Sequence, residues 1–368
     1  MNTIQKAALA SLVLSQSALA YAPITQDFRS TRTAGMGGVR YTTGEYEENF
    51  FANPARSADN PGFQLQLLKI TAETSSGTIS SIGNLIKNKN GLSGFSGIVG
   101  QPEYARFQII PLAVHFRNFI DDKWSMGAGL FLSAQTNPSL SQSGQIDPST
   151  AVAAGPVLNL SRRLLEEDRL VVGMNFRTEV RATSNNAGLS VQDFLSGANL
   201  GNSVKGGSGF GFDFDLGTTF KPHWKNFDFE YELGFAINNI LGGKYKNISR
   251  PIKSWNGDPA PANRTFNFGL KGMRKDIFGL DQLTLALETT DIGNNPNGSL
   301  YRTIHMGTEI EWKLFRVRAG VNQGYLTAGL GLDLFILNLD FATYGEELGL
   351  NPGIAQDRRY TLDIGFKI

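Results

Sequence analysis

Between Phe210 and Ile237 apolar and polar residues alternate twice over. Phe210, Phe212, Phe214, Leu216 and Phe220 interleave with Asp213, Asp215, Gly217 and Thr219; then Phe227, Phe229, Tyr231, Leu233, Phe235 and Ile237 interleave with Asp228, Glu230, Glu232, Gly234 and Asn238. Successive strand side chains point to opposite faces, so each segment predicts a strand with one aromatic and aliphatic face and one face of carboxylates and glycine. A soluble sandwich accommodates this only by turning the carboxylates to bulk water, whereas a membrane barrel turns the apolar face to lipid and the polar face to a wet lumen. The same period recurs in about fourteen segments, near 62–73, 105–117, 123–136, 150–163, 169–182, 207–220, 227–240, 263–273, 281–291, 302–312, 315–322, 324–334, 335–344 and 359–368. The pattern predicts an all-β fold, a transmembrane antiparallel β-barrel of about 14 strands, whose lumen is wider than strand side chains alone fill.

One hairpin can be read pair by pair. With Lys313 and Leu314 as a tight turn, Trp312 faces Phe315 on the lipid side, while Glu311 opposes Arg316 and Glu309 opposes Arg318 in the lumen. A slip of one residue would push both arginines into lipid, at roughly 2 to 4 kcal/mol each near the midplane. These four residues, with Asp213, Asp215, Asp228, Glu230, Glu232 and His305, form the expected lumen charge network. Its carboxylates are expected either to bias a pore toward cations or to pair with Arg29, Arg32 or Arg40. For His305 the expected partner is Glu309 on the same strand face.

The N-terminus sets the compartment. Met1 to Lys6 is positively charged, Ala7 to Leu14 is apolar, and Ala18-Leu19-Ala20 forms a small-residue cleavage site, so residues 1–20 read as a signal peptide of an exported protein. The apolar run is shorter than the roughly 20 residues of a spanning helix. Residues 21–61 are polar and glycine-punctuated, and read as a plug within the barrel formed by residues 62–368. At the other end Tyr360, Leu362, Ile364, Phe366 and Ile368 alternate with Thr361, Asp363, Gly365 and Lys367, an amphipathic strand like those that outer-membrane barrel-assembly machinery reads. Composition fits: 42 glycines and 25 phenylalanines, no cysteine, and a net charge of +1 from 34 basic and 33 acidic residues, which carries no nucleic-acid signature.

Other patterns along the chain have simple structural meanings. Ile79, Ile82, Leu85 and Ile86 within 75–104, and Val191, Phe194 and Leu195 within 186–205, predict short helices in rim excursions. The run Gly206 to Gly211 echoes a phosphate loop but leads into an alternating strand, so strand glycines are expected. Asp291 to Gly298, with Asn294, Asn295 and Asn297, is oxygen-rich yet has ordinary turn composition. The histidines His115, His223 and His305 fall in separate segments without metal-ligand spacing, so no catalytic residue, metal or cofactor is expected.

Arg32 through Gly38, with the later Asn53-Pro54-Ala55, resembles the N-terminal signature of outer-membrane barrels of the long-chain fatty-acid transporter (FadL-like) superfamily. The C-terminal part, with Arg302, His305, Gly307 and Glu309, then Arg316 to Gly320, Asn322 to Tyr325, Gly329 and Gly331, and Asp357 to Tyr360, resembles the PorV-like and TraF-like relatives of that superfamily. The resemblance implies a 14-stranded barrel with an N-terminal hatch, in which Gly35, Gly37, Gly38, Asn53, Pro54 and Ala55 form the hatch turns. It implies an outer-membrane protein, embedded in lipid, that binds or passes hydrophobic small molecules. The alternative it implies is a non-transporting platform for secretion-system or surface proteins.

Overall fold

On β6 (Gly206–Phe220) Phe212 is 53% exposed while its neighbour Asp215 is fully buried. The distribution is inside-out relative to a water-soluble protein, and it recurs around the molecule: Leu287, Met306, Val317, Leu330 and Phe341 lie bare outside, while Glu288, Glu309, Arg318 and Asp363 are buried inside. Such a surface is stable only against hydrocarbon.

The computed structural model describes residues 28–80, 103–140, 145–184, 189–190, 206–224, 228–248, 257–294, 299–349 and 353–368. The expected signal peptide, most of the two expected rim helices, and Asn295 and Asn297 lie outside these residues. Fourteen long strands occur among the described residues. They are β1 (Phe63–Ser75), β2 (Ala105–Arg117), β3 (Trp124–Leu140), β4 (Gln145–Leu164), β5 (Leu170–Ser184), β6, β7 (Glu230–Asn238), β8 (Thr265–Ile277), β9 (Leu280–Ile292), β10 (Ile304–Trp312), β11 (Phe315–Asn322), β12 (Tyr325–Leu334), β13 (Leu337–Glu347) and β14 (Gln356–Lys367). Each pairs antiparallel with its sequence neighbours, and β14 pairs with β1 through Ile70↔Ile364, so the sheet closes and leaves no edge. Two short strands add to it: Leu189–Ser190 on β4 and Tyr245–Asn247 on β6.

Several boundaries differ from the alternation pattern for local reasons. The segment expected at 227–240 shortens to Glu230–Asn238 because Asp228 takes a left-handed turn conformation at φ 58°. The segment expected from 302 starts at Ile304, since Leu300–Arg302 forms a 3-10 turn capped by the Ser299 hydroxyl. Strands β3 and β4 run to 17 and 20 residues, well past the roughly 9 to 11 that cross a bilayer. β-Bulges interrupt β1 at Gln66–Leu68 and β2 at Ile109–Leu112, around Pro111, and the Gln66 amide donates to the carbonyls of Leu68 and Phe366 beside the first bulge.

The two rims differ. One carries the start of β1, the end of β14 and tight hairpins such as Phe278–Gly279, Lys313–Leu314 and Phe335–Ile336. The other carries the longest connections together with the two-residue turn Gln323–Gly324 between β11 and β12.

Candidate functional site between the inner segment and the wall

Residues 28–61 make contacts all around the ring, which a segment can do only from inside a closed barrel. Lys69 of β1 meets Glu47 at 3.0 Å, Asn159 of β4 donates to the Pro54 carbonyl at 3.1 Å, and Asn175 of β5 donates to the Asn49 carbonyl at 2.9 Å. Glu232 of β7 meets Arg56 at 2.8 Å, and Glu346 of β13 meets Arg29 at 2.8 Å. The segment is built from one short α-helix, α1 (Thr31–Gly35), and two 3-10 turns, Tyr46–Phe50 and Pro54–Asp59. The first 3-10 turn is closed by a reciprocal capping box between Glu45 and Glu48, the second by the Asn53 side chain accepting from Ala55 N–H, with Pro54 in the first helical position.

The glycine motif and the Asn53-Pro54-Ala55 motif of the segment sit on different parts of the wall. Gly35 accepts from the Thr327 hydroxyl at 2.8 Å, and the Gly37 carbonyl is hydrogen-bonded to His305 Nδ1 at 2.9 Å, so Gly35, Gly37 and Gly38 lie on β10 to β12. There the backbone of Met36 rests directly on Gly307 and Gly320, where a methyl group on either would collide with it. Gly37 itself has φ +72°, a conformation that favours glycine. Asn53, Pro54 and Ala55 instead lie on β4 to β6, with Asn53 Nδ2 donating to the Thr218 carbonyl at 3.1 Å and to Tyr41 O of the segment itself at 3.0 Å.

The charge network divides likewise. In the β10–β11 hairpin Glu309 pairs with Arg318, Glu311 with Arg316 and Trp312 with Phe315. Glu309 sits between two guanidiniums, 2.5 Å from Arg318 Nε and 2.6 Å from Arg32 Nη2. Arg316 reaches Glu45 at 3.3 Å and Glu311 at 3.8 Å. His305 departs from expectation: its ring is shared between the Gly37 carbonyl and the Thr290 hydroxyl rather than directed at Glu309, which both arginines occupy. Asp213 and Asp215 also depart from it. Instead of meeting arginines of the inner segment, Asp213 accepts from Leu241 and Gly243 N–H and Asp215 from Asn239 N–H, fastening the connection after β7, and Asp215 pairs with Arg177 of the wall. Glu232 does meet the segment, through Arg56, and shares Lys271 at 3.0 Å. Asp228 and Glu230 fall outside the network, because Asp228 is in the exposed turn beside Arg274 and Glu230 opens to solvent at the rim.

Alternation alone did not single out Glu288. Its carboxylate accepts from Arg40, Tyr41 and Thr42 N–H and from the Thr42 hydroxyl, at 2.7 to 3.1 Å, anchoring the middle of the segment. A lone acid at an inward position of β9 was the available signal. Within the segment, burial raises the Glu48 carboxyl, outweighing Arg32 and Lys69. Burial acts the same way on Glu45, but Arg32, Arg316 and Arg318 prevail and hold it well below the usual carboxylate range.

Against this polar scaffold stand several small apolar clusters and one larger, aromatic one inside the barrel. Phe28, Phe50 and Phe51 pack with Ile110, Phe131 and Val157 of β2 to β4, with Phe28 and Phe51 stacked at 4.6 Å between ring centroids. Phe28 and Phe51 also face a cavity of about 420 Å³ between the segment and the wall, lined further by Arg40, Tyr41, Arg177, Asn238 and Asn267.

No protein-family model matches the chain, and no curated protein matches its sequence. Among solved structures it is similar to the Ralstonia pickettii toluene transporter TbuX, with TM-score 0.51 and 13% identity over 93% of this chain and 98% of that one. It is similar also to the Pseudomonas putida toluene transporter TodX, with TM-score 0.50 and 14% identity over the same shares. At such identities the likeness is one of fold: an all-β, 14-stranded closed antiparallel barrel shared with two hydrocarbon transporters.

Proposed function

We propose that this barrel resides in the outer membrane and passes hydrophobic small molecules, with residues 28–61 acting as the plug. The observation that carries the reading is the Phe28–Phe51 surface facing the cavity between plug and wall. Phe28 and Phe51 are packed on their own cluster and leave only an edge to the cavity, which gives an otherwise polar lining one apolar side, and a cavity of this size suits a small guest rather than a second segment of chain. The shared fold with two toluene transporters supports the same direction. The rival reading, an interaction platform, rests on the bare hairpin tips Phe278 and Phe335, which are 97% and 95% exposed at the turn rim.

The test is uptake by cells that make the protein or lack it, with toluene and, as a polar control, arabinose. Faster toluene entry with unchanged arabinose entry is expected, and Phe51→Ala should alter toluene entry while the amount of assembled barrel stays the same. Equal toluene entry with and without the protein would overturn the transport reading, and a parallel rise in arabinose entry would indicate a general pore.

A further inference from the structure

The outer wall carries an apolar groove of about 990 Å³. It runs from Tyr231 near the turn rim past Leu287, Met306, Ala319 and Ala328 to Arg358 at the loop rim. Its position has a cause inside the barrel. The plug backbone rests on Gly307 and Gly320 with no layer of side chains between, so β10 and β11 approach the plug more closely than strands with inward side chains can. Outside, on β11 and β12, Ala319 and Ala328 are too short to fill the hollow. Above the groove the rim is low, because β11 and β12 are joined by the two-residue turn Gln323–Gly324, leaving Leu326 75% exposed.

Arg358 gives the groove polarity. Its Nη1 donates to the Leu326 carbonyl at 2.6 Å, which lays the guanidinium along the groove's upper end, and it forms no salt bridge among the described residues. A lipid-facing surface that is apolar along its length and ends on one cation at the rim has the charge order of a lipid, tail then anionic head. We infer that this groove holds an acyl chain of one bilayer lipid whose anionic headgroup sits on Arg358. The inference rests on the lipid-facing barrel and goes beyond the transport reading, since the groove lies on the opposite side of the wall from the plug.

Native mass spectrometry of the full barrel tests it, after transfer into nanodiscs of either phosphatidylglycerol or phosphatidylcholine with identical acyl chains. The wild type should retain one phosphatidylglycerol over phosphatidylcholine by roughly fivefold, the preference expected of one basic side chain at an anionic surface. Arg358→Gln, a rim substitution, should abolish that preference, and Ala328→Leu should lower retention of both lipids, with heat-modifiable gel mobility showing that each variant is folded. Equal retention of the two lipids by the wild type, or retention that neither substitution changes, would overturn the inference. A dimer that Ala328→Leu dissociates would also overturn it and assign the groove to a second copy of this chain.

Discussion

Arg32 of the plug and Glu309 of the wall face each other as a fork, with Nη2 to Oε1 at 2.6 Å and Nε to Oε2 at 3.0 Å, both side chains buried. Glu309 also binds Arg318, which continues to Asp340 of β13, so one chain of charges joins plug, β10, β11 and β13. Removing one member of a buried pair leaves the other uncompensated and typically costs about 3 to 5 kcal/mol. Arg32 also meets Glu48 at 3.2 Å, so Arg32→Ala is expected to loosen the plug more than Arg32→Lys, which keeps a cation between Glu48 and Glu309. Protease accessibility of residues 28–61 in folded barrel would show the order, and equal accessibility in both variants would contradict it.

At Gly307 the plug and wall backbones touch. Gly307→Ala would drive a methyl group into the Met36 carbonyl. Overpacking of this kind costs typically about 1 to 3 kcal/mol, and the plug, held by side-chain bonds, yields more easily than a closed sheet. The variant should assemble as a barrel yet conduct ions more readily in planar bilayers than the wild type. Unchanged conductance would mean that the wall, not the plug, gives way.

Asn53 supplies both halves of its amide: Nδ2 donates to Tyr41 O and Thr218 O, and Oδ1 accepts from Ala55 N–H. Asn53→Asp keeps the cap but sets a carboxylate against two carbonyls, leaving buried acceptors unmatched at roughly 1 to 3 kcal/mol. It should therefore disturb the plug more than Asn53→Ser, which removes the clash with the carbonyls. Comparing toluene uptake and the level of assembled barrel for the two variants checks this; a loss confined to assembly would mark the turn as purely structural.

Asp59 lies 2.7 Å from Arg56 and 2.6 Å from Lys221. Burial on its own would raise its carboxyl, but Arg56, Lys221 and Lys271 outweigh this and hold it below the usual carboxylate range. A carboxylate depressed in the folded state contributes stability that is present above its unfolded value, about 3.9, and lost as pH falls through the folded value. Acidification from neutrality to about pH 4 should leave this tether in place, with loss below that. Asp59→Asn should flatten the acid limb of barrel heat-stability measured against pH; an identical limb in variant and wild type would rule this tether out as its source.

The barrel was legible in the sequence because side-chain direction in a strand has period two and lipid enforces it. Phe212 against Asp215, and Glu309 against Arg318 across a two-residue turn, follow from local order alone. The glycines and Asn53 of residues 21–61 likewise marked a segment of special backbone. Which acid met which base was not written there. Glu309 chose Arg32 over His305, Asp213 and Asp215 turned to backbone N–H groups of a neighbouring connection, and Asp228 left the lumen for an exposed turn. Alternation fixes only the face on which a side chain stands. Its partner depends on strand stagger around the closed ring and on the path of a plug without periodicity, and both are settled by contacts between residues up to hundreds of positions apart.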